Sequence, residues 1–143
     1  MPVVVAVPAF SCVTGPFAVQ LPAVLSGLRA LGKLKEEKVV RVQSWEGYKA
    51  VERWLRFEGM ELQIVTFTND PERYTLGSAL FESPRWSQAP ARVGEPSGPL
   101  VTRLGAAQVE ANANWRFAGE TDSLYIQSKA GKISRVLYEC YTG

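Results

Sequence analysis

Two periodicities divide this chain. Leu21, Val24, Leu25, Leu28 and Leu31 recur at intervals of three and four, the spacing that lines one side of a helix. Pro22 suits a first-turn position and Gly32 the end of the element, so an amphipathic helix of about three turns is expected. From Val39 the period falls to two. Val39–Gln43, Tyr48–Phe57, Met60–Thr68 and Tyr74–Ser83 read as strands, separated by Glu46-Gly47, Glu58-Gly59 and Asn69-Asp70-Pro71. Val, Ile, Thr and aromatic residues dominate them, as a pleated, half-buried surface favours.

Pro84, Pro90, Pro96 and Pro99, with Gly94 and Gly98, then rule out regular structure over 84–99. A short helix is expected from Pro99 to Leu104, ending at Gly105. Trp115–Ala118, Ser123–Ser128 and Lys132–Tyr141 read as strands, the last two joined by a hairpin turn at Ala130-Gly131.

The later strands echo the earlier ones. Arg56-Phe57-Glu58-Gly59, Leu62-Gln63-Ile64 and Ala79-Leu80-Phe81-Glu82 are followed, in the same order, by Arg116-Phe117-Ala118-Gly119, Leu124-Tyr125-Ile126 and Val136-Leu137-Tyr138-Glu139. The interval from glycine to leucine is three residues in the first copy and five in the second. Order kept with spacing relaxed points to a duplicated supersecondary unit. The expected organisation is one domain over 1–143: a first repeat over 10–83, a linker over 84–99 and a second repeat over 100–143. Residues 1–9, apolar and free of side-chain charge, read either as the end of an export signal, without its basic start, or as a strand from Val3 to Val7. Helix, strands, linker, short helix, strands is an α+β order. It predicts an antiparallel sheet with helices on one face and the other face partly open.

The second repeat resembles the β-lactamase inhibitor protein family, a unit of which also occurs in the small outer-membrane lipoprotein of the β-barrel assembly machinery. The resemblance rests on Val93-Gly94, Val101, Leu104-Gly105, Trp115-Arg116-Phe117, Asp122-Ser123-Leu124-Tyr125-Ile126 and Gly131-Lys132-Ile133. It covers about 50 residues; the first repeat matches less well, because Val39 to Arg53 is extra. The resemblance implies tandem helix-plus-hairpin repeats, a secreted or cell-envelope location, and protein binding through the sheet and its loops. No inhibitory contact motif of that family has a counterpart here.

Composition narrows the chemistry. At 143 residues with 46% apolar and 21% charged positions, the chain can bury a core and is not disordered. A net charge of +2 and the absence of a basic, aromatic-studded cluster argue against nucleic acid. The densest charge run, Lys33 to Lys38, includes Glu36 and Glu37 and reads as a solvated helix end. No run of apolar residues is long enough to span a membrane. Histidine is absent, which removes the commonest general base and metal ligand; no cofactor or metal is expected. Carboxylates could still act in pairs, and Glu58 with Glu61, or Glu120 with Asp122, are the candidates. All four flank expected turns, where acids are usually solvated. Cys12 and Cys140 lie near the two chain ends and read either as a disulfide, in an oxidising compartment, or as two buried thiols.

Aromatic and arginine side chains on alternating strands are the usual anchors of a protein-binding surface. The expected surface is Trp45, Tyr48, Arg56, Trp86, Arg116 and Tyr125. The sequence therefore predicts a non-enzymatic, periplasmic or secreted module that binds another protein. The alternatives are a cytosolic interaction or immunity-type domain and a cradle for a small apolar ligand.

Overall fold

The computed structural model describes residues 21–22, 24–89, 91–99, 108–110, 114–118 and 122–140. Eight strands form one antiparallel sheet: β1 (Glu36–Trp45), β2 (Tyr48–Phe57), β3 (Met60–Phe67), β4 (Asp70–Phe81), β5 (Gln108–Glu110), β6 (Asn114–Ala118), β7 (Asp122–Lys129) and β8 (Lys132–Cys140). Their spatial order is β1-β2-β3-β4-β8-β7-β6-β5. Each half is an antiparallel meander, and the two meet where β4 pairs with β8. Tight turns make this possible: Gly47, Gly59 and Gly131 all have positive φ, the conformation that glycine adopts without strain.

The α+β expectation is corrected here, and with it the helix-plus-hairpin repeat. Helix is confined to α1 (Leu25–Arg29), five residues long, and to residues 97–99, where a second helical stretch begins among the described residues. Leu25 and Leu28 are buried as the spacing demands, but Val24 is extended and exposed and offers no side-chain cap. Gly27 sits inside the turn, with its missing Cβ only 2.9 Å from the Pro22 ring. An uncapped segment with an internal glycine does not sustain three turns. The charge run after it is likewise not a helix end: Glu36, Glu37 and Lys38 open β1. Of the expected helix Pro99–Leu104, all but Pro99 lies outside the described residues, as do residues 1–9.

The sheet buries one face. Leu55 and Phe57 of β2, Met60, Leu62 and Ile64 of β3, Leu76, Ala79 and Phe81 of β4, Phe117 of β6, Leu124 and Ile126 of β7, and Val136 and Tyr138 of β8 form a single core. The role expected of helices falls mostly to the Pro/Gly segment, which lays Trp86, Ala91 and Val93 into that core. Trp86 meets Phe57 edge-on with 5.7 Å between ring centroids, and its indole N–H donates to the Glu58 carbonyl at 2.8 Å. The segment is tied to the sheet by backbone bonds: Gly94 N–H to Ile133 O at 2.7 Å, Ile133 N–H to Glu95 O at 2.8 Å, and Ser97 N–H to Gly131 O at 3.1 Å. It is a packed plug, although its sequence reads as a linker.

Register relates the two meanders by an approximate two-fold axis. At the centre Ala79 faces Tyr138, Leu80 faces Leu137 and Phe81 faces Val136. The repeated Ala-Leu-Phe and Val-Leu-Tyr triplets thus pair with each other, and the axis passes through the leucines. Outward from there, Phe57–Met60–Phe81 in the first half corresponds to Phe117–Leu124–Tyr138 in the second. Leu55–Leu62–Ala79 likewise corresponds to Trp115–Ile126–Val136. Leu124 therefore stands where Met60 does, two residues out of step with the Leu-x-Ile match in the sequence. The longer turn before β7 accounts for the offset. A slip of two residues keeps every side chain on its own face, whereas a slip of one would turn the core outward.

Candidate protein-binding face

Strand alternation sends a second set of side chains to the face opposite the core, which no other described segment covers. Across β1 to β4 this open face carries Glu36, Lys38, Arg41, Gln43 and Trp45, then Ala50, Glu52, Trp54 and Arg56, then Glu61, Gln63, Val65 and Phe67, then Thr75 and Leu80. Across β8, β7 and β6 it carries Arg135, Leu137 and Glu139, then Tyr125 and Gln127, then Asn114 and Arg116. Its buried positions are small residues: Ala50, Thr75 and Ser123.

Cross-strand pairs organise the charges. Arg41 Nε lies 2.9 Å from Glu52, and Arg56 Nη2 lies 3.4 Å from Glu36. Trp54 donates its indole N–H to Glu61 at 2.9 Å, and the Lys38 ammonium sits 5.3 Å from the Trp54 ring. These side chains are partly exposed, and such pairs contribute about 1 kcal/mol or less each. Their main effect is to leave the face charge-balanced.

A shallow depression of about 220 Å³ lies over β1 to β4, lined by Arg41, Gln43, Ala50, Glu52, Gln63, Ile64, Val65 and Gly77. Gly77 is the extra residue where β4 slips against β3. A Cβ there would come within 3.3 Å of the Gln63 carbonyl oxygen, so only glycine lets the strands close under the depression. Its walls are polar and apolar in equal part, and Leu25 and Leu28 of α1 pack into the core on the other side of the sheet.

Five of the six expected anchors lie on the open face. Trp45 and Tyr48 oppose each other at the β1–β2 turn, and Arg56 sits at the other end of β2. Tyr48 meets the Phe67 ring at 6.2 Å between centroids, and the Arg73 guanidinium lies over Phe67 at 4.4 Å. Arg116 and Tyr125 oppose each other in the second half, with the guanidinium 5.5 Å from the ring centroid. Trp86 is the departure: it is 4% exposed and belongs to the core. Its neighbourhood of prolines disguised a buried plug as a loop. Arg73 is an addition that the sequence did not mark, because it lies close to an expected turn and joins the cluster only through its contact with Phe67.

Glu58 and Glu61 engage different partners. Glu58 is exposed and lies 3.2 Å from Lys35 Nζ, while Glu61 accepts from Trp54. Glu120 and the Asp122 side chain lie outside the described residues. Among the described residues, the marked perturbation of a titratable group is on the core side: burial pushes the Tyr74 phenol well above its ordinary value, and its hydroxyl donates to the Pro22 carbonyl. Cys140 ends β8 and is disulfide-bonded; Cys12 lies outside the described residues.

A different feature stands out by exposure alone. Val39, Val40, Val42 and Trp45 are 55%, 60%, 49% and 57% exposed, and all four belong to β1. Among the described residues, the strand has a partner on one side only. An extended apolar row on an unpaired edge is a template for association. Among the described residues, no helix is long and apolar enough to cross a membrane. Comparison of the chain with family models, curated proteins and solved structures yields no match.

Proposed function

We propose that this protein is a non-enzymatic binding module that holds another protein against the open face of its sheet. The observation that carries this reading is that one charge-balanced face holds two aromatic–arginine clusters, Trp45, Tyr48, Phe67 and Arg73 in the first meander and Arg116 with Tyr125 in the second, each with its arginine over a ring. Aromatic and arginine side chains of this kind supply large contact area at little ordering cost and anchor most protein interfaces. The disulfide at Cys140 is in keeping with an oxidising compartment, the periplasm or the secreted space.

Photo-crosslinking in the source organism tests the reading. A benzophenone amino acid is placed at Gln63 or Tyr125 on the open face, and at Ser26 on the core side as a control. A discrete adduct with a second protein is expected from the two face positions and not from Ser26, and it is lost when Tyr48→Ala and Arg116→Ala are added. Equal labelling from all three positions, or none from the face, would overturn it.

A further inference from the structure

The free edge of β1 has a self-complementary register. Lys49 donates its N–H to Thr68 Oγ1 at 2.8 Å and accepts from Thr68 N–H at 3.0 Å, so both of its backbone groups face away from β1. Ser44, its partner on β1, therefore occupies a non-hydrogen-bonded site and turns its own N–H and C=O off the free edge. Val42, two residues earlier and on the same side of the bulge between Val39 and Arg41, does the same. The unpaired backbone groups of this edge are thus those of Val42 and Ser44.

We infer that β1 pairs with β1 of a second copy of this chain, antiparallel, about a two-fold axis through Gln43. In that register Val42 opposes Ser44 of the other copy, and the reverse, so that each outward-facing group meets one of its own kind and four backbone hydrogen bonds form. Arg41 opposes Trp45 of the other copy, twice. Both side chains are on the open face, both are exposed, and a guanidinium over an indole is an attractive pair. Gln43 meets Gln43, whose amides can both donate and accept. The two arginines do not oppose each other, and each already has Glu52 at 2.9 Å.

The occupant is a second copy and not an arbitrary strand because the same five residues, read backwards, place the cation against the aromatic. The other end of the sheet offers no equivalent: β5 is three residues long, and short edge strands are a common protection against pairing. This inference does not rest on the binding function proposed above, since the backbone edge of β1 carries the pairing; Trp45 is the one side chain common to both.

Crosslinking by a single introduced cysteine tests the register. The Cα atoms of Gln43 in the two copies would be about 4.5 Å apart, within disulfide reach. Those of Arg41 would be about 13 Å apart. Under mild oxidation Gln43→Cys is expected to form a covalent dimer at least about tenfold faster than Arg41→Cys. Adding Ser44→Pro to Gln43→Cys removes an outward N–H that β2 does not use, and lowers that rate about fivefold or more without altering the circular dichroism spectrum. If the proline disturbs the fold, Trp45→Ser in its place should slow the same crosslink. Equal crosslinking at 41 and 43, or a Gln43→Cys protein that stays monomeric, would overturn the pairing.

Discussion

The two halves of the sheet follow the same register and differ at their margins. β1 to β4 run for 10, 10, 8 and 12 residues; β5 to β8 run for 3, 5, 8 and 9. Near the axis the halves are interchangeable: Phe81 matches Tyr138, Ala79 matches Val136, Met60 matches Leu124. Away from it they diverge. The first half ends in a long strand with an exposed apolar row, the second in a strand too short to serve as a template. About an approximate two-fold axis the shared centre is constrained from both sides, because each residue there pairs with a residue of the other meander. The margins face no such partner and are free to take on separate roles.

The comparison breaks most severely if its centre is emptied. Phe81 and Tyr138 are 0% exposed, and truncating either to alanine should cost about 3–5 kcal/mol. Equal losses in denaturant midpoint for Phe81→Ala and Tyr138→Ala would support the equivalence. A loss confined to one of them would show that the halves are only topologically alike.

The turns sharpen it next. Gly59 has φ +76, and a Cβ there would lie 2.4 Å from Ser83 Cβ. Gly131 has φ +79 with nothing within 4 Å. Gly131→Ala should therefore cost only the left-handed backbone penalty, about 1–2 kcal/mol, and Gly59→Ala more than about 2 kcal/mol. Ser83→Gly should recover part of the second loss and none of the first, as read by thermal melts of the double variants.

Trp86 belongs to the plug that links the halves. Trp86→Phe keeps the ring and removes the donor to the Glu58 carbonyl. A loss of about 1–2 kcal/mol is expected from chemical denaturation, with the binding face unaffected.

The smallest effect concerns Tyr74, which docks the α1 segment through Pro22 in the first half. Its phenol is raised by burial, so the folded state holds that proton more tightly than the unfolded chain. The stabilisation linked to it is fully present below about pH 10, the ordinary tyrosine value, and declines as the pH rises above that. Tyr74→Phe should flatten the alkaline part of a stability-against-pH curve and lower stability at neutral pH by about 1 kcal/mol, through loss of the hydrogen bond to the Pro22 carbonyl. An identical alkaline slope in the variant would remove Tyr74 as its source.

Much of this architecture was legible residue by residue. The strands β2, β3, β7 and β8 and their turns follow from two-residue alternation bounded by Glu-Gly and Ala-Gly, since those features act within a few residues of one another. The order of the recurring motifs was legible, but the register that relates the two meanders lies two residues away from the motif match at Leu124. Pairing decides register, and pairing depends on the length of a turn that a motif match does not weigh. The open face was legible in part: five anchors share it because alternation carries parity along each strand. Trp86 was not, because nothing in Pro84 to Pro99 says whether an irregular segment lies over the core or away from it.

The chain by itself therefore determined the periods, the turns and the faces, all of which are set by local sterics and by the alternation of apolar with polar side chains. The tertiary structure alone decided three things. Leu21 to Leu31 kept only a five-residue helix, because an uncapped segment containing Gly27 makes few hydrogen bonds of its own and relies on the packing of Leu25 and Leu28. A Pro-rich stretch became the cover of the core, because Trp86 and Val93 bury more surface there than in water. β1 became an exposed edge, because the order of strands places one meander outside the other, and no local rule says which strand will be last.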